Sequence, residues 1–230
     1  MYNRLAGFEI LARWNHPTRG EVGPATFIPV IEKLGLIGQF TYSFLHRSCA
    51  RAKHWPREIT IALNVSPMHF GDPLLPVKLL SILSETDFKP TRLEIEVTES
   101  ALIGDLQAAQ TTLRTLQDIG IKVSLDDFGT GYSNLYHLRE LQFDKVKIDQ
   151  SFVTSMATDA SRAKIVHSVL ELVKSLDMQA VAEGIEHQQT VRELKQAGAA
   201  FGQGFFFGKA MPAEAVDKYV NDGIGRCHTA

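Results

Sequence analysis

Side chains able to hold a hard cation or move a proton recur along this chain at intervals. They are Glu9, Asn64, Glu96 with Glu99, Asp126 with Asp127, Lys147 with Asp149, Glu183 with Glu186, and Gln203. Each lies in, or directly after, a short apolar or β-branched run such as Ile61-Ala62-Leu63, Val146-Lys147-Ile148 or Ala180-Val181-Ala182. If those runs are parallel strands of a barrel, their C-terminal ends converge on one rim, where such barrels carry out chemistry. Carboxylates gathered there repel one another and are driven to take up protons unless cations compensate. An all-oxygen set of carboxylates and the Asn64 amide suits Mg²⁺ or Mn²⁺. Adjacent Asp126 and Asp127 can bridge two ions or be divided between them, so two ions fit better than one. The glycines of Phe128-Gly129-Thr130-Gly131-Tyr132-Ser133 then suit a tight loop able to approach metal or phosphate closely.

Taken singly, each residue also has a purely structural use. The Asp126-Asp127 pair could be a solvated turn, and Asn64 before Val65-Ser66-Pro67 could cap a turn. Glu94 and Glu96 share one strand face by period two and could each pair with an arginine. Lys147 could snorkel from a sheet edge, and residues 183–186 could merely lead into a helix. All of these explanations would have to hold independently at seven strand ends.

The elements that must position these residues follow from periodicity. Strand-like runs occupy residues 7–13, 59–65, 92–97, 122–126, 145–148, 179–182 and, most weakly, 200–202. Amphipathic helical stretches lie between them at 25–33, 39–54, 75–86, 106–119, 160–176, 188–197 and 212–220. In the fourth of these, Leu106, Ala109, Leu113, Leu116 and Ile119 fall at helical spacing, and Gly120 supplies the stop. Repeated β-then-α units predict parallel strands with crossover helices, as an open doubly wound sheet or a (β/α) barrel. No GxGxxG follows the first strand, which weakens a dinucleotide-binding reading. No Pro/Ser/Gly-rich linker and no internal repeat divides the chain, so residues 1–230 read as one domain.

Composition narrows the class. The chain has 230 residues, 44% hydrophobic and 22% charged, with a net charge of -2, as for a soluble globular α/β protein. That balance argues against a nucleic-acid polymer as partner and leaves room for a small phosphorylated ligand held locally. Cys49 and Cys227 form no CxxC, no HExxH occurs, and a zinc site is not expected. No apolar run approaches the ~20 residues that span a bilayer, and no secretory pattern opens the chain. A strand-like run beginning at residue 5 suggests a domain taken from a longer protein.

The chain resembles the EAL-type cyclic di-GMP phosphodiesterase domain. The resemblance is carried by Gly7-Phe8-Glu9-Ile10-Leu11-Ala12-Arg13-Trp14, Asn64-Val65-Ser66-Pro67 and Glu94-Ile95-Glu96-Val97-Thr98-Glu99-Ser100. It continues through residues 124–135, 146–153, Ala182-Glu183-Gly184-Ile185-Glu186 and 203–208, in the family's order. It implies a modified TIM barrel whose first strand runs antiparallel. That strand, with its Tyr-Gln-Pro motif, would precede residue 1, so the barrel expected here lacks it. Glu9, Asn64, Glu96 and Asp126 are expected as ligands of one ion, with Asp127 and Glu183 on a second. Lys147 would orient the attacking water, with Glu186 and Gln203 supporting it. Leu11, Arg13 and Asp149 would contact the ligand, and Glu99 would anchor the loop 128–133.

The implied reaction opens one phosphodiester bond of cyclic di-GMP to linear 5′-pGpG, with two Mg²⁺ or Mn²⁺ ions. The signature Glu-Ala-Leu reads Glu9-Ile10-Leu11 here, and Ala12 stands where leucine is usual. A catalytically inactive receptor or regulatory module, and a nonspecific phosphodiesterase, are the competing expectations. The resemblance further implies a cytoplasmic location, either free or as part of a membrane-anchored protein, with no membrane contact from this segment. Upstream sensor or GGDEF domains and a homodimer are expected on the same ground.

Overall fold

The computed structural model describes residues 4–102, 106–129, 135–156 and 159–221. Seven strands form one sheet in the order β1 (Gly7–Ile10), β4 (Thr60–Asn64), β5 (Leu93–Thr98), β6 (Lys122–Phe128), β7 (Lys145–Ile148), β8 (Gln179–Ala182) and β9 (Phe201–Gly202). All six pairings are parallel. Strands β2 (Trp14–His16) and β3 (Gly20–Val22) form a separate antiparallel hairpin after β1. Helices α1 (Pro24–Lys33), α2 (Ile37–Ala52), α3 (Pro67–Phe70) and α4 (Leu75–Glu85) precede β5 or flank β4. They are followed by α5 (Leu106–Ile119), α6 (Leu135–Leu141), α7 (Gln150–Ser155), α8 (Ala160–Ser175), α9 (Gln188–Gln196) and α10 (Ala213–Asn221).

The sheet has two chemically distinct faces because alternate side chains point opposite ways. Ile61, Leu63, Leu93, Ile95, Val97, Val123, Leu125, Val146, Ile148, Ala180 and Ala182 are buried beneath the helices and form the core. The alternate residues turn to the concave side and carry the polar groups. Helix α5 shows how sequence sets this layer: Ala109, Leu113 and Leu116 are buried, and Gly120 ends the helix in the left-handed region at φ 94°.

The sheet curls enough to bring its two ends together. No backbone pairing joins β1 to β9, yet Gln203 Nε2, just beyond β9, donates to Glu9 Oε2 on β1 at 2.7 Å. The architecture is a curled, TIM-barrel-like α/β sheet, and its main sheet contains no antiparallel strand among the described residues.

The first strand is shorter than its pattern predicts. It ends at Ile10, and the expected run to residue 13 breaks before the hairpin, whose turn is built from Pro17, Thr18, Arg19 and Gly20 at φ 71°. Helices α3, α6 and α7 span only four, seven and six residues. That is too few for a 3.6-residue period to stand out against neighbouring strands. Ile10 lies on the helix-facing side of β1 with Phe8, partly buried against the core. No helix among the described residues is long and apolar enough to cross a membrane. Cys49 is a buried free thiol, and Cys227 lies outside the described residues.

Candidate functional site

Parallel register sets the polar residues of neighbouring strands at matching heights. Asn64 of β4 lies opposite Glu96 of β5, and Thr98 of β5 opposite Asp126 of β6. Lys147 of β7 lies opposite Val181 of β8, so Glu183 stands just beyond the end of that strand. The side chains meet at the C-terminal rim of the curled sheet.

Lys147 is the hub. Its Nζ lies 2.9 Å from Glu183 Oε1, 3.1 Å from Glu96 Oε1, 3.2 Å from Asp126 Oδ1 and 3.8 Å from Glu9 Oε2. The residue is only 2% exposed, so it is no snorkelling edge lysine. Glu9 is held from both sides: Asn64 Nδ2 donates to Oε1 at 2.6 Å and Gln203 Nε2 to Oε2 at 2.7 Å. The Asn64 side-chain nitrogen is therefore turned to the rim.

The electrostatics follow from one ammonium facing four carboxylates in a dehydrated setting. Burial pushes the Glu96 carboxyl up to about 8, outweighing the attraction of Lys147, and Glu9, Asp126 and Glu94 push the same way. Burial likewise raises Glu183 and Asp127. Burial would lower Lys147, but the carboxylates of Glu96, Glu183, Glu9 and Asp126 raise it above its ordinary value, so it stays charged.

Asp127 sits at a break in the strand pairing. The β6–β7 register shifts between Leu125 and Phe128, and Asp127 takes φ 56°, a conformation costly for a residue with a Cβ. Its amide donates to Asp126 Oδ1 at 2.9 Å. One carboxylate oxygen each from Asp126, Asp127 and Glu183 comes within 4.8 Å of the others. Glu96 Oε2 is buried and has no hydrogen-bond partner among the described residues. A three-carboxylate cluster beside an unpartnered buried carboxylate oxygen fits a hard divalent cation. The cluster able to hold such an ion is Asp126, Asp127 and Glu183, with Glu9, Asn64 and Glu96 beside it on the same rim.

Other predicted residues stand around this rim. Asp149 caps α7, accepting the Ser151 amide at 2.9 Å, and its charge adds to the negative field at Asp127. Glu186 is exposed three residues past Glu183. Leu11, 43% exposed, and Arg13 lie between β1 and the hairpin, where Arg13 Nε is 3.6 Å from Glu21 Oε1. Glu99 opens a short 3-10 turn, Glu99–Leu102. Residues 130–133 of the loop it was expected to anchor lie outside the described residues. Gly184, at φ 67°, carries the chain past α7 so closely that a Cβ there would lie 2.4 Å from Gln150 Cβ. This is the physical reason for glycine directly after Glu183.

Sequence reasoning missed the layer beneath. Lys145 Nζ pairs with Glu94 Oε2 at 2.5 Å and lies over the Phe201 ring, 4.5 Å from its centroid. The signal was available, since Lys145 and Lys147 share a face of β7 just as Glu94 and Glu96 share one of β5. The hairpin was missed as well; there Trp14 packs edge-on with His16 and Phe27.

Comparison with known proteins agrees with this architecture. Residues 2–210 match the model of the EAL domain. A signaling protein of Caulobacter vibrioides is 42% identical over 219 residues, covering 95% of this chain and 27% of its own length. The bifunctional diguanylate cyclase/cyclic di-GMP phosphodiesterase MucR of Pseudomonas aeruginosa is 36% identical over 216 residues, covering 92% of this chain and 32% of its own. The chain thus spans about a quarter to a third of the length of these relatives. The solved structure of the PaMucR phosphodiesterase in complex with c-di-GMP superimposes with a TM-score of 0.86 at 36% identity, over 92% of this chain and 87% of that one. With its rim of strand-end carboxylates around a buried lysine and its match over residues 2–210, this chain belongs to the EAL domain family.

Proposed function

We propose that this chain is a cyclic di-GMP phosphodiesterase that hydrolyses one phosphodiester bond to give linear 5′-pGpG, with two divalent ions. The observation that carries the reading is the rim itself, where Lys147 contacts Glu9, Glu96, Asp126 and Glu183 within 4 Å and Asp127 joins Asp126 and Glu183. A carboxylate surplus of that size at the mouth of a curled parallel sheet is compensated by hard cations. PaMucR, 36% identical, was solved with c-di-GMP, and MucR's name includes the same phosphodiesterase activity.

Glu9, Asn64, Glu96 and Asp126 would hold one ion, and Asp126, Asp127 and Glu183 the other, with Mg²⁺ or Mn²⁺ suited to these oxygen donors. When bound, two such ions supply an activated water and neutralise charge at phosphorus. The chain's own residues do the rest. Lys147, kept protonated by its carboxylate neighbours, presents a fixed positive charge to the phosphoryl oxygens as negative charge develops. Gln203 and Asn64 fix both oxygens of Glu9, so that carboxylate is oriented before any ligand arrives. Glu186 stands at the exposed rim to position water. Arg13 and Leu11, outside the buried cluster, would take the ligand's phosphate and apolar surface, with Asp149 at the start of α7.

The test is a timed assay of cyclic di-GMP with Mg²⁺ or Mn²⁺ against EDTA. Product pGpG that appears only with the divalent ion supports the reading. Binding without product under either metal overturns it in favour of a receptor. Comparable rates on bis-p-nitrophenyl phosphate would make the activity nonspecific. Further domains, a homodimer and a cytoplasmic setting for the longer protein belong to the same proposal.

A further inference from the structure

Glu9 is the most heavily bonded acid of the rim, yet it sits on the least supported strand. β1 has four residues, none fully buried, and pairs with β4 alone. A single row of backbone bonds fixes register along one side, but the tilt of an edge strand depends on what packs against its outer face. That face presents Phe8. Its ring meets Trp55 edge-on at 5.4 Å and Tyr219 of α10 at 6.3 Å.

The two aromatic partners belong to segments that are clamped together. Trp55 Nε1 donates to Asp217 Oδ1 at 2.8 Å, and Arg51 Nε donates to Asp217 Oδ2 at 2.8 Å. Arg51 Nη1 reaches Glu214 Oε1 at 3.0 Å. Both oxygens of Asp217 are used, and they join α10, which follows β9, to α2 and Trp55, which precede β4. The clamp therefore bridges the two ends of the curled sheet on the outside, where Gln203 and Glu9 bridge them on the inside.

We infer that Asp217 and Trp55 are positioning residues for Glu9: by locking α10 onto α2 over Phe8, they set the tilt of β1 and keep Glu9 within reach of Asn64 and Gln203. The reach is short. A hydrogen bond of 2.7 Å between strands with no backbone pairing is lost once they part by about 1 Å. The consequence for metal binding rests on the reading proposed above; the geometric claim does not.

The deciding measurement is the side-chain amide signals of Asn64 and Gln203 in ¹H–¹⁵N spectra of the metal-free protein. In the parent chain both are displaced and slow to exchange. Asp217→Ala moves both to the positions of free amides while the backbone spectrum stays folded. Trp55→Phe, which keeps an aromatic ring near Phe8 but loses the N–H and the second ring of the indole, moves them less in the same direction. Glu214→Gln, which touches only the exposed arm of the clamp, leaves them in place. Unchanged amide signals in folded Asp217→Ala overturn the inference, as do equal shifts in Glu214→Gln. If Asp217→Ala does not fold, Trp55→Phe decides, and unchanged signals there overturn it.

Calorimetry with Mn²⁺ adds the functional arm, with affinity falling about tenfold in Asp217→Ala. A parent chain that takes up no Mn²⁺ sinks the metal-centre reading and leaves the amide signals to decide this one.

Discussion

Two lysines two residues apart on β7 face the same interior and lead different lives. Lys145 meets one acid, Glu94, and is roofed by the Phe201 ring. Lys147 meets four acids at the rim and cannot neutralise them. The lower layer is a closed ion pair, one charge to one charge, of the kind that fixes a buried interior without adding much net stability. The upper layer is open: its carboxylates either take up protons or gather cations. The difference teaches that buried charge alone does not mark a site. An unbalanced charge at the strand ends does.

The largest expected effects fall on the upper layer. Lys147→Met should lower turnover of cyclic di-GMP about 10²–10³-fold. It should also cost the metal-free protein about 3 kcal/mol, because the carboxylates lose the buried ammonium that contacts all four of them. Urea unfolding in EDTA and a steady-state assay read the two. Asp126→Asn should abolish turnover and yet raise the metal-free Tm by about 2 °C or more, since it removes one of the repelling charges. Near-full activity in Asp126→Asn would break the assignment of the rim.

Next is the lower layer. Glu94→Gln leaves the half-buried Lys145 without its acid and should cost about 2 kcal/mol, whereas Glu94→Leu with Lys145→Met together should be nearly neutral. If the double variant is as unstable as the single one, the closed-pair description of this layer fails. Thermal melts suffice.

A pH series sharpens the contrast further. The Glu96 carboxyl is held near 8 against an ordinary 4.5, and burial raises Glu183 and Asp127 as well. Between those limits these three carboxyls bind more protons in the folded chain than in the unfolded one, opposed by His69, which burial lowers; with the carboxyls in the majority, metal-free stability should fall as pH rises from about 4.5 to 8. Added Mg²⁺ or Mn²⁺ should flatten that slope. A metal-free Tm that climbs through the window would contradict the picture.

The smallest effect belongs to the hairpin. The Arg13–Glu21 pair is exposed on both sides, so Glu21→Gln should change stability by less than about 1 kcal/mol. Arg13→Ala should weaken binding of cyclic di-GMP with little change in Tm. Isothermal titration checks it.

Much of this is legible in the sequence. Period-two runs, helical stripes such as Leu106 to Ile119, and stop signals such as Gly120 located all seven sheet strands to within a few residues. Short elements escaped, because helices of four to seven residues carry too little period and the β2–β3 hairpin reads as a continuation of the strand before it. Glu94 was seen only as a companion of Glu96. Nothing local says that Lys145, some fifty residues on, will cross the interior to meet it.

By itself, the sequence determined which residues end the strands and that they are overwhelmingly acidic, because strand and helix periods are local properties of side chains. It also carried the family, through motifs kept in order from Glu9 to Gln203. Only the tertiary structure decided how those ends meet. Lys147 became the common neighbour of four acids through the curl of the sheet and the parallel register across β5, β6 and β7. Glu9 was tied to Gln203 across 194 positions. Asp217, which carries no motif, became the outer clamp of the same two sheet ends. Distances between residues far apart in sequence depend on sheet curvature and helix docking, and these are fixed by the packing of the whole chain.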